Sequence, residues 1–182
     1  MKISLWRIIP FVLFLILVFF LMRGLSSDPH KLPSTKIGQD LPAFRLPLLH
    51  DETKQGTDAS LRGKVYLLNI WASWCEACVD EQFFLMQLQK QGVLIFGINY
   101  KDDPKRAVHW LKTYGDPYYL IAEDKEGTLA IDLGVYGTPE TFLIDKEGKI
   151  RYRHVGILNK AVWKKYFLPR IKKLDKSHAY VH

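Results

Sequence analysis

The segment Asn69-Ile-Trp-Ala-Ser-Trp-Cys-Glu-Ala-Cys78 contains both cysteines of the 182-residue chain, three positions apart. An apolar run of strand length, Val65–Trp71, leads into the pair, and apolar residues at helical spacing continue from it as far as Gly92. The pattern predicts a strand-to-helix turn with Cys75 at the helix N-terminus, where unsatisfied N–H groups and the helix dipole favour a thiolate. Cys78, one turn later, is then close enough to attack a mixed disulfide formed by Cys75.

A Cys-x-x-Cys pair by itself is also compatible with a structural zinc site, haem attachment or a permanent disulfide. A structural zinc site needs four Cys or His ligands, and the six histidines are scattered without short ligand spacing. Haem attachment requires a histidine directly after the second cysteine, where Val79 stands. We therefore predict no metal site and no cofactor, and take redox chemistry of a Cys75–Cys78 disulfide as the leading interpretation.

Strand and helix patterns alternate along the rest of the chain. They are a hairpin formed by Ala43–Leu48 and Gln55–Thr57, a buried strand at Val93–Asn99, a helix from Pro104 to about Tyr114, a strand at Tyr118–Ala122, a second hairpin formed by Thr141–Ile144 and Lys149–His154, and a helix from about Asn159 to Leu174. Parallel crossovers followed by a hairpin predict an α/β fold, a mixed central β-sheet flanked by helices.

The N-terminus carries an apolar run without acidic residues, Ile8–Met22, which extends to residues 5–22 if Arg7 reaches the headgroups. A membrane span needs roughly 17–25 apolar residues, so the run predicts a single N-terminal transmembrane helix. A cleaved signal peptide is the alternative, but Arg23-Gly-Leu-Ser-Ser27 offers no small-residue cleavage site. Basic residues before the run place the rest of the chain outside the cytoplasm. The predicted organisation is an anchor at 1–23, a linker at 24–36, a globular domain at 37–175 and a C-terminal tail at 176–182.

The formal net charge of +7 is concentrated near the C-terminus, where the chain from Asp145 onward contains eleven basic and three acidic residues. A solvated basic helix face is the simpler explanation, and a docking surface for acidic lipid or protein is the alternative. No aromatic residues are interleaved with this charge in a nucleic-acid-binding pattern, so we predict no nucleic-acid partner.

The segments Asn69–Cys78 and Gly134-Val-Tyr-Gly-Thr-Pro-Glu-Thr-Phe-Leu-Ile-Asp145 resemble the active-site and cis-proline segments of thioredoxins. With Gly97-Ile-Asn-Tyr-Lys-Asp-Asp103 and Ile150-Arg-Tyr-Arg-His-Val-Gly156, the chain resembles more narrowly the CcmG/DsbE family. These are membrane-tethered, thioredoxin-like proteins of cytochrome c maturation, and the resemblance covers nearly the whole chain. It implies a thioredoxin-like fold.

The resemblance also implies roles for individual residues. Thr138-Pro139 is expected to be a cis peptide facing the cysteines, with the Thr138 backbone and Trp74 contacting a substrate strand. Glu140 and Glu81 match positions of an acidic active-site environment, and a buried carboxylate there would accept a proton as Cys78 reacts. Glu140 is the stronger of these two candidates from sequence.

Two positions depart from the related patterns. Glu76 stands where family members often carry proline, and its charge disfavours a thiolate at Cys75. Asn69 stands where cytosolic thioredoxins carry a buried Asp that assists proton transfer. We therefore predict that Glu81 and Glu140 take over that role, which normal turnover by a double Gln variant would contradict.

The resemblance implies a thiol:disulfide oxidoreductase, a disulfide reductase on the periplasmic side of the bacterial inner membrane. Its expected partners are apocytochrome c or a CcmH-like protein, with a DsbD- or CcdA-type membrane reductase as electron donor. Alternatives are a TlpA/ResA-like reductase with another extracytoplasmic target and a copper chaperone like the Sco proteins. A thiol peroxidase is less favoured, since those lack the Trp-Cys-x-x-Cys turn. Copper titration and peroxide consumption separate the last two.

Overall fold

The computed structural model describes residues 5–25 and 36–177. The chain forms two compact units, Met1–Pro33 and Ser34–His182. The predicted linker at 24–36 and tail at 176–182 lie mostly outside the described residues.

The described part of the N-terminal unit is a helix, α1, at Leu5–Leu25. Its described apolar side chains are almost all exposed, among them Phe11, Leu13 and Phe20. Judged on the described residues alone, none of the protein's helices combines the length and apolar character needed to cross a membrane. The transmembrane anchor therefore stays a prediction.

The second unit has a thioredoxin-like α/β architecture, with helices packed on a seven-stranded mixed sheet. Its elements are β1 Arg45–Leu48, β2 Asp51–Thr57, a 3-10 turn Asp58–Leu61, β3 Tyr66–Trp71, α2 Glu76–Lys90, β4 Ile95–Tyr100, α3 Pro104–Tyr114, β5 Leu120–Asp124, α4 Thr128–Asp132, β6 Glu140–Ile144, β7 Ile150–Val155, and a C-terminal helix composed of α5 Lys160–Val162, a π-helical turn Trp163–Phe167 and α6 Leu168–Ser177.

The strand order is β2-β1-β5-β4-β3-β6-β7. The central strands β5, β4 and β3 run parallel, whereas β6 and β7 on one side and β1 and β2 on the other pair antiparallel. Every residue of β3 and β6 is buried, as expected for central strands covered on both faces. The mixed sheet predicted from the sequence is confirmed.

Four local features differ from the sequence-based expectation. The second strand begins at Asp51 rather than Gln55. The fifth strand begins at Leu120 rather than Tyr118, and the last helix is interrupted by a π-helical turn at Trp163–Phe167. The five-residue helix α4 was not predicted, because so short an element has no periodicity to detect. The Asp124 carboxylate holds its first turn by accepting the Ala130 N–H at 2.9 Å.

Candidate active site

The two cysteines form a disulfide at the N-terminus of α2, with their Cα atoms 5.3 Å apart. Cys75 is the N-cap residue, and its sulfur accepts the Cys78 N–H at 3.1 Å. The same backbone donor is available to a Cys75 thiolate once the bond opens, and the helix dipole adds to that stabilisation. The sequence-based placement of Cys75 at a strand-to-helix turn is therefore confirmed.

The loop after β4 is hydrogen-bonded to the turn that connects β3 to Cys75. The Asp102 carboxylate accepts the Ser73 N–H at 2.5 Å and the Ser73 hydroxyl at 2.7 Å, and it also accepts the Asn99 amide at 2.9 Å. The indole N–H of Trp74 donates to the Lys101 carbonyl at 3.1 Å, and the residue is 55% exposed. An exposed aromatic ring is thus fixed directly beside Cys75.

The Thr138–Pro139 peptide bond is cis, as the resemblance implies. It directly precedes β6, whose first residue, Glu140, is paired antiparallel with Ile70 near the end of β3. The bond therefore lies at the sheet edge from which the chain leaves β3 toward the cysteines. Within the described part of the chain the buried Thr138 hydroxyl has no hydrogen-bond partner.

Glu140 is fully buried and forms a two-point ion pair with Arg153. Its two oxygens accept from the guanidinium Nε at 2.7 Å and Nη2 at 3.0 Å. The Arg153 side chain is only 10% exposed and lies over the rings of Tyr136 and Phe142. A carboxylate so fully occupied is better suited to holding the 134–140 segment than to accepting a proton.

Replacing Arg153 with Met is expected to lower the free energy of unfolding by about 3–5 kcal/mol, because it leaves the buried Glu140 carboxylate without a counter-charge. Lys149→Met is the matched control, since Lys149 and Asp40 form an exposed ion pair worth less than about 1 kcal/mol. Urea denaturation measures the free energy of unfolding of both variants. Equally small losses of stability in Arg153→Met and Lys149→Met would show that burial does not strengthen the Glu140–Arg153 ion pair.

Glu81 lies on α2 one turn beyond Cys78, so the two side chains share one face of the helix. It is buried, and its two oxygens accept the Asn69 side-chain amide at 2.9 Å and the Leu158 N–H at 2.7 Å. Burial raises the pKa of Glu81 from its ordinary value of 4.5 to about 7, although hydrogen bonds from Leu158, Asn69 and Thr141 oppose the shift. An acid with this pKa can change its protonation state near neutral pH.

Three residues on neighbouring strands form a row beneath α2, and this row includes Asn69, the amide partner of Glu81. Gly97, Asn69 and Thr141 are directly opposite one another on β4, β3 and β6, and therefore share a face of the sheet. The Asn69 amide donates to the Thr141 hydroxyl at 3.0 Å, and its carbonyl accepts the Tyr118 hydroxyl at 2.9 Å. The sequence indicated a role for Asn69 but not for Tyr118. The one available signal was the glycine at position 97, which leaves room for the neighbouring Tyr118 ring.

Gly97→Ala is expected to destabilise the protein by about 1–3 kcal/mol through overpacking. A Cβ atom there would meet the Tyr118 ring at 2.9 Å and the Trp71 indole nitrogen at 3.0 Å. Gly137→Ala is the control, because no atom lies within 4 Å of a Cβ at that position. Thermal unfolding of both variants tests the expectation, and an unchanged midpoint for Gly97→Ala would contradict it.

This chain matches a protein family, individual relatives and solved structures. The Redoxin family matches residues 36–165. The thiol:disulfide interchange protein DsbE of Pseudomonas aeruginosa is 47% identical over 167 residues, which cover 92% of this chain and 93% of the relative. DsbE of Escherichia coli is 44% identical over 178 residues, covering 94% and 96%.

A solved structure described as a putative thiol:disulfide interchange protein DsbE from Chlorobium tepidum has a TM-score of 0.64 and 28% identity. The match covers 76% of this chain and 96% of that one. One conclusion follows from the high identity over nearly full length, the thioredoxin-like fold and the cysteine pair at the start of α2. The chain belongs to the DsbE (CcmG) family and is a thiol:disulfide oxidoreductase that acts on protein thiols and disulfides.

Proposed function

We propose that this protein is an extracytoplasmic disulfide reductase of cytochrome c maturation, with apocytochrome c or a CcmH-like protein as its substrate. The observation that carries the chemistry is the position of Glu81, buried one helical turn beyond Cys78 with a pKa of about 7. The substrate class rests on the resemblance to the CcmG/DsbE family.

In the proposed reaction the Cys75 thiolate attacks one sulfur of a substrate disulfide. The attacked sulfur becomes bonded to Cys75, the substrate S–S bond breaks, and the other substrate sulfur leaves as a thiolate. Cys78 then transfers its proton to Glu81 and attacks the Cys75 sulfur. This step forms the Cys75–Cys78 disulfide and releases the second substrate sulfur, so two electrons pass from the protein to the substrate.

Trp74, Thr138 and Pro139 form the proposed substrate contact. Trp74 is exposed beside Cys75, and the Thr138–Pro139 bond lies at the same sheet edge. An extended substrate segment that passes Thr138 can pair with its backbone in the manner of an added strand.

The proposed organisation has a membrane anchor at 1–23, a linker at 24–36, the catalytic domain at 37–175 and a tail at 176–182. The apolar run at residues 5–22 would hold the protein in the bacterial inner membrane in a single pass, with the domain in the periplasm. A DsbD- or CcdA-type membrane reductase would restore the Cys75 and Cys78 thiols after each turnover.

Deleting the gene for this protein from its host tests this proposal. Loss of haem-stained c-type cytochromes is expected, with recovery on expression of the wild-type chain but not of Cys75→Ser. Because the proposed task is reduction, a small thiol added to the medium should also restore part of the haem staining. Normal cytochrome levels in the deletion strain would overturn the cytochrome assignment while leaving the exchange activity intact.

A further inference from the structure

His154 lies on β7 directly opposite Thr141, and so extends the row beneath α2 to the edge of the sheet. Its ring nitrogen Nε2 is 3.2 Å from the Ile157 carbonyl oxygen. A carbonyl oxygen only accepts hydrogen bonds, so Nε2 carries the proton in this contact. The ring is partly exposed and packs edge-on toward Phe167.

The peptide group that accepts from His154 also donates to Glu81. The carbonyl belongs to Ile157, and the N–H of the same peptide unit belongs to Leu158, which donates to the Glu81 carboxylate at 2.7 Å. A partly exposed imidazole and a buried acid are therefore joined by one peptide group. Neither contact involves the cysteines or the proposed substrate surface.

A hydrogen bond to the carbonyl end of a peptide group polarises it and makes its N–H a stronger donor. A stronger donor favours the ionised form of the carboxylate that it contacts. The N–H of Leu158 is the backbone hydrogen bond that opposes the effect of burial on the Glu81 pKa. The imidazole thus acts on the acid without touching it.

We propose that His154 is a positioning residue for proton transfer: through the Ile157–Leu158 peptide group it stabilises the ionised form of Glu81 that accepts the Cys78 proton. The proposal rests on the proposed function of Glu81. The other groups that bear on this acid are Asn69 on β3, Thr141 on β6, Tyr118 through Asn69, and Cys78 on its own helix. Of these, Tyr118 is titratable, and so is Cys78 once the disulfide is reduced; with Glu81 itself, His154 is the fourth titratable group of the network.

Three variants test this inference in the full-length protein. His154→Phe removes the donor but keeps a ring beside Phe167, His154→Gln keeps an amide donor for the Ile157 carbonyl, and His109→Phe removes an exposed histidine from α3. The readouts are the Glu81 titration, followed by ¹³C NMR of the carboxyl carbon and assigned with Glu81→Gln, and the pH profile of disulfide exchange.

In His154→Phe the Glu81 titration is expected to move upward by about half a pH unit, the order that cooperative strengthening of a charge-assisted hydrogen bond supplies. Exchange at pH 6.5 should slow by roughly twofold to threefold, because a smaller fraction of Glu81 is then ionised. His154→Gln should restore both quantities to near the wild-type values, and His109→Phe should change neither. A purely structural loss would lower stability without moving the titration.

Failure of this inference and failure of the proposed function give different results. If Glu81→Gln exchanges at the wild-type rate, the proton-accepting role of Glu81 is wrong. If Glu81→Gln is slow but His154→Phe titrates and reacts like the wild type, the positioning role of His154 is wrong. In the Glu81→Gln background, His154→Phe should cause no further change in rate.

Discussion

A Cys78→Ser variant is expected to accumulate mixed disulfides through Cys75, at levels far above those of the wild-type protein. Cys75 caps the N-terminus of α2, where the Cys78 N–H and the helix dipole favour its thiolate. Without the resolving sulfur, the substrate remains bound to Cys75 until an external thiol releases it. Non-reducing electrophoresis followed by mass spectrometry identifies the adducts, and a reductant should remove them.

The reverse substitution is the control for this trapping experiment. Cys75→Ser should form no adducts, since Cys78 lies inside the first turn of α2 and lacks the N-cap position that favours a thiolate at Cys75. Adducts of equal yield from both variants would contradict the division between an attacking and a resolving cysteine. No adduct from Cys78→Ser while Cys75 remains alkylatable would contradict protein disulfide exchange itself.

The fold was predictable because its signals are local. Pro104 begins α3 where the first helical position favours proline, and the Asp145–Gly148 turn connects β6 to β7 as the glycine-terminated spacing indicates. The cysteine turn was equally readable, since a buried strand and a helical pattern flank it. The errors are features without periodicity, such as α4 and the π-helical turn in the last helix, and the first residues of β2 and β5.

The proton-accepting site was only partly predictable. The hydrogen bonds around Glu81 join residues that are far apart in sequence, including Leu158, 77 positions away, and Thr141, which is 72 positions from Asn69. The sequence favoured Glu140 over Glu81, because it contains no sign that Arg153 pairs with Glu140. The structure favours the opposite order, and both roles remain proposals.

The raised pKa of Glu81 has a consequence for stability. Between its ordinary value of 4.5 and the folded value of about 7, the folded chain binds more protons at this group than the unfolded chain does. Stability must therefore fall as pH rises through this window, by up to about 3 kcal/mol from Glu81 alone. The contribution is fully present below pH 4.5 and is lost above pH 7.

Glu81→Gln is expected to slow the resolution of mixed disulfides by about 10²-fold or more, the usual contribution of a positioned general base. In the wild type the rate should rise as pH increases through about 7, since Glu81 accepts the Cys78 proton only when it is ionised. The variant should lose this inflection together with the decline in stability between pH 4.5 and 7. Asp80→Asn is the matched control, because it neutralises an exposed carboxylate on the preceding residue of α2. Stopped-flow exchange with a model disulfide measures the rates, and coincident pH profiles for Glu81→Gln and Asp80→Asn would contradict proton transfer to Glu81.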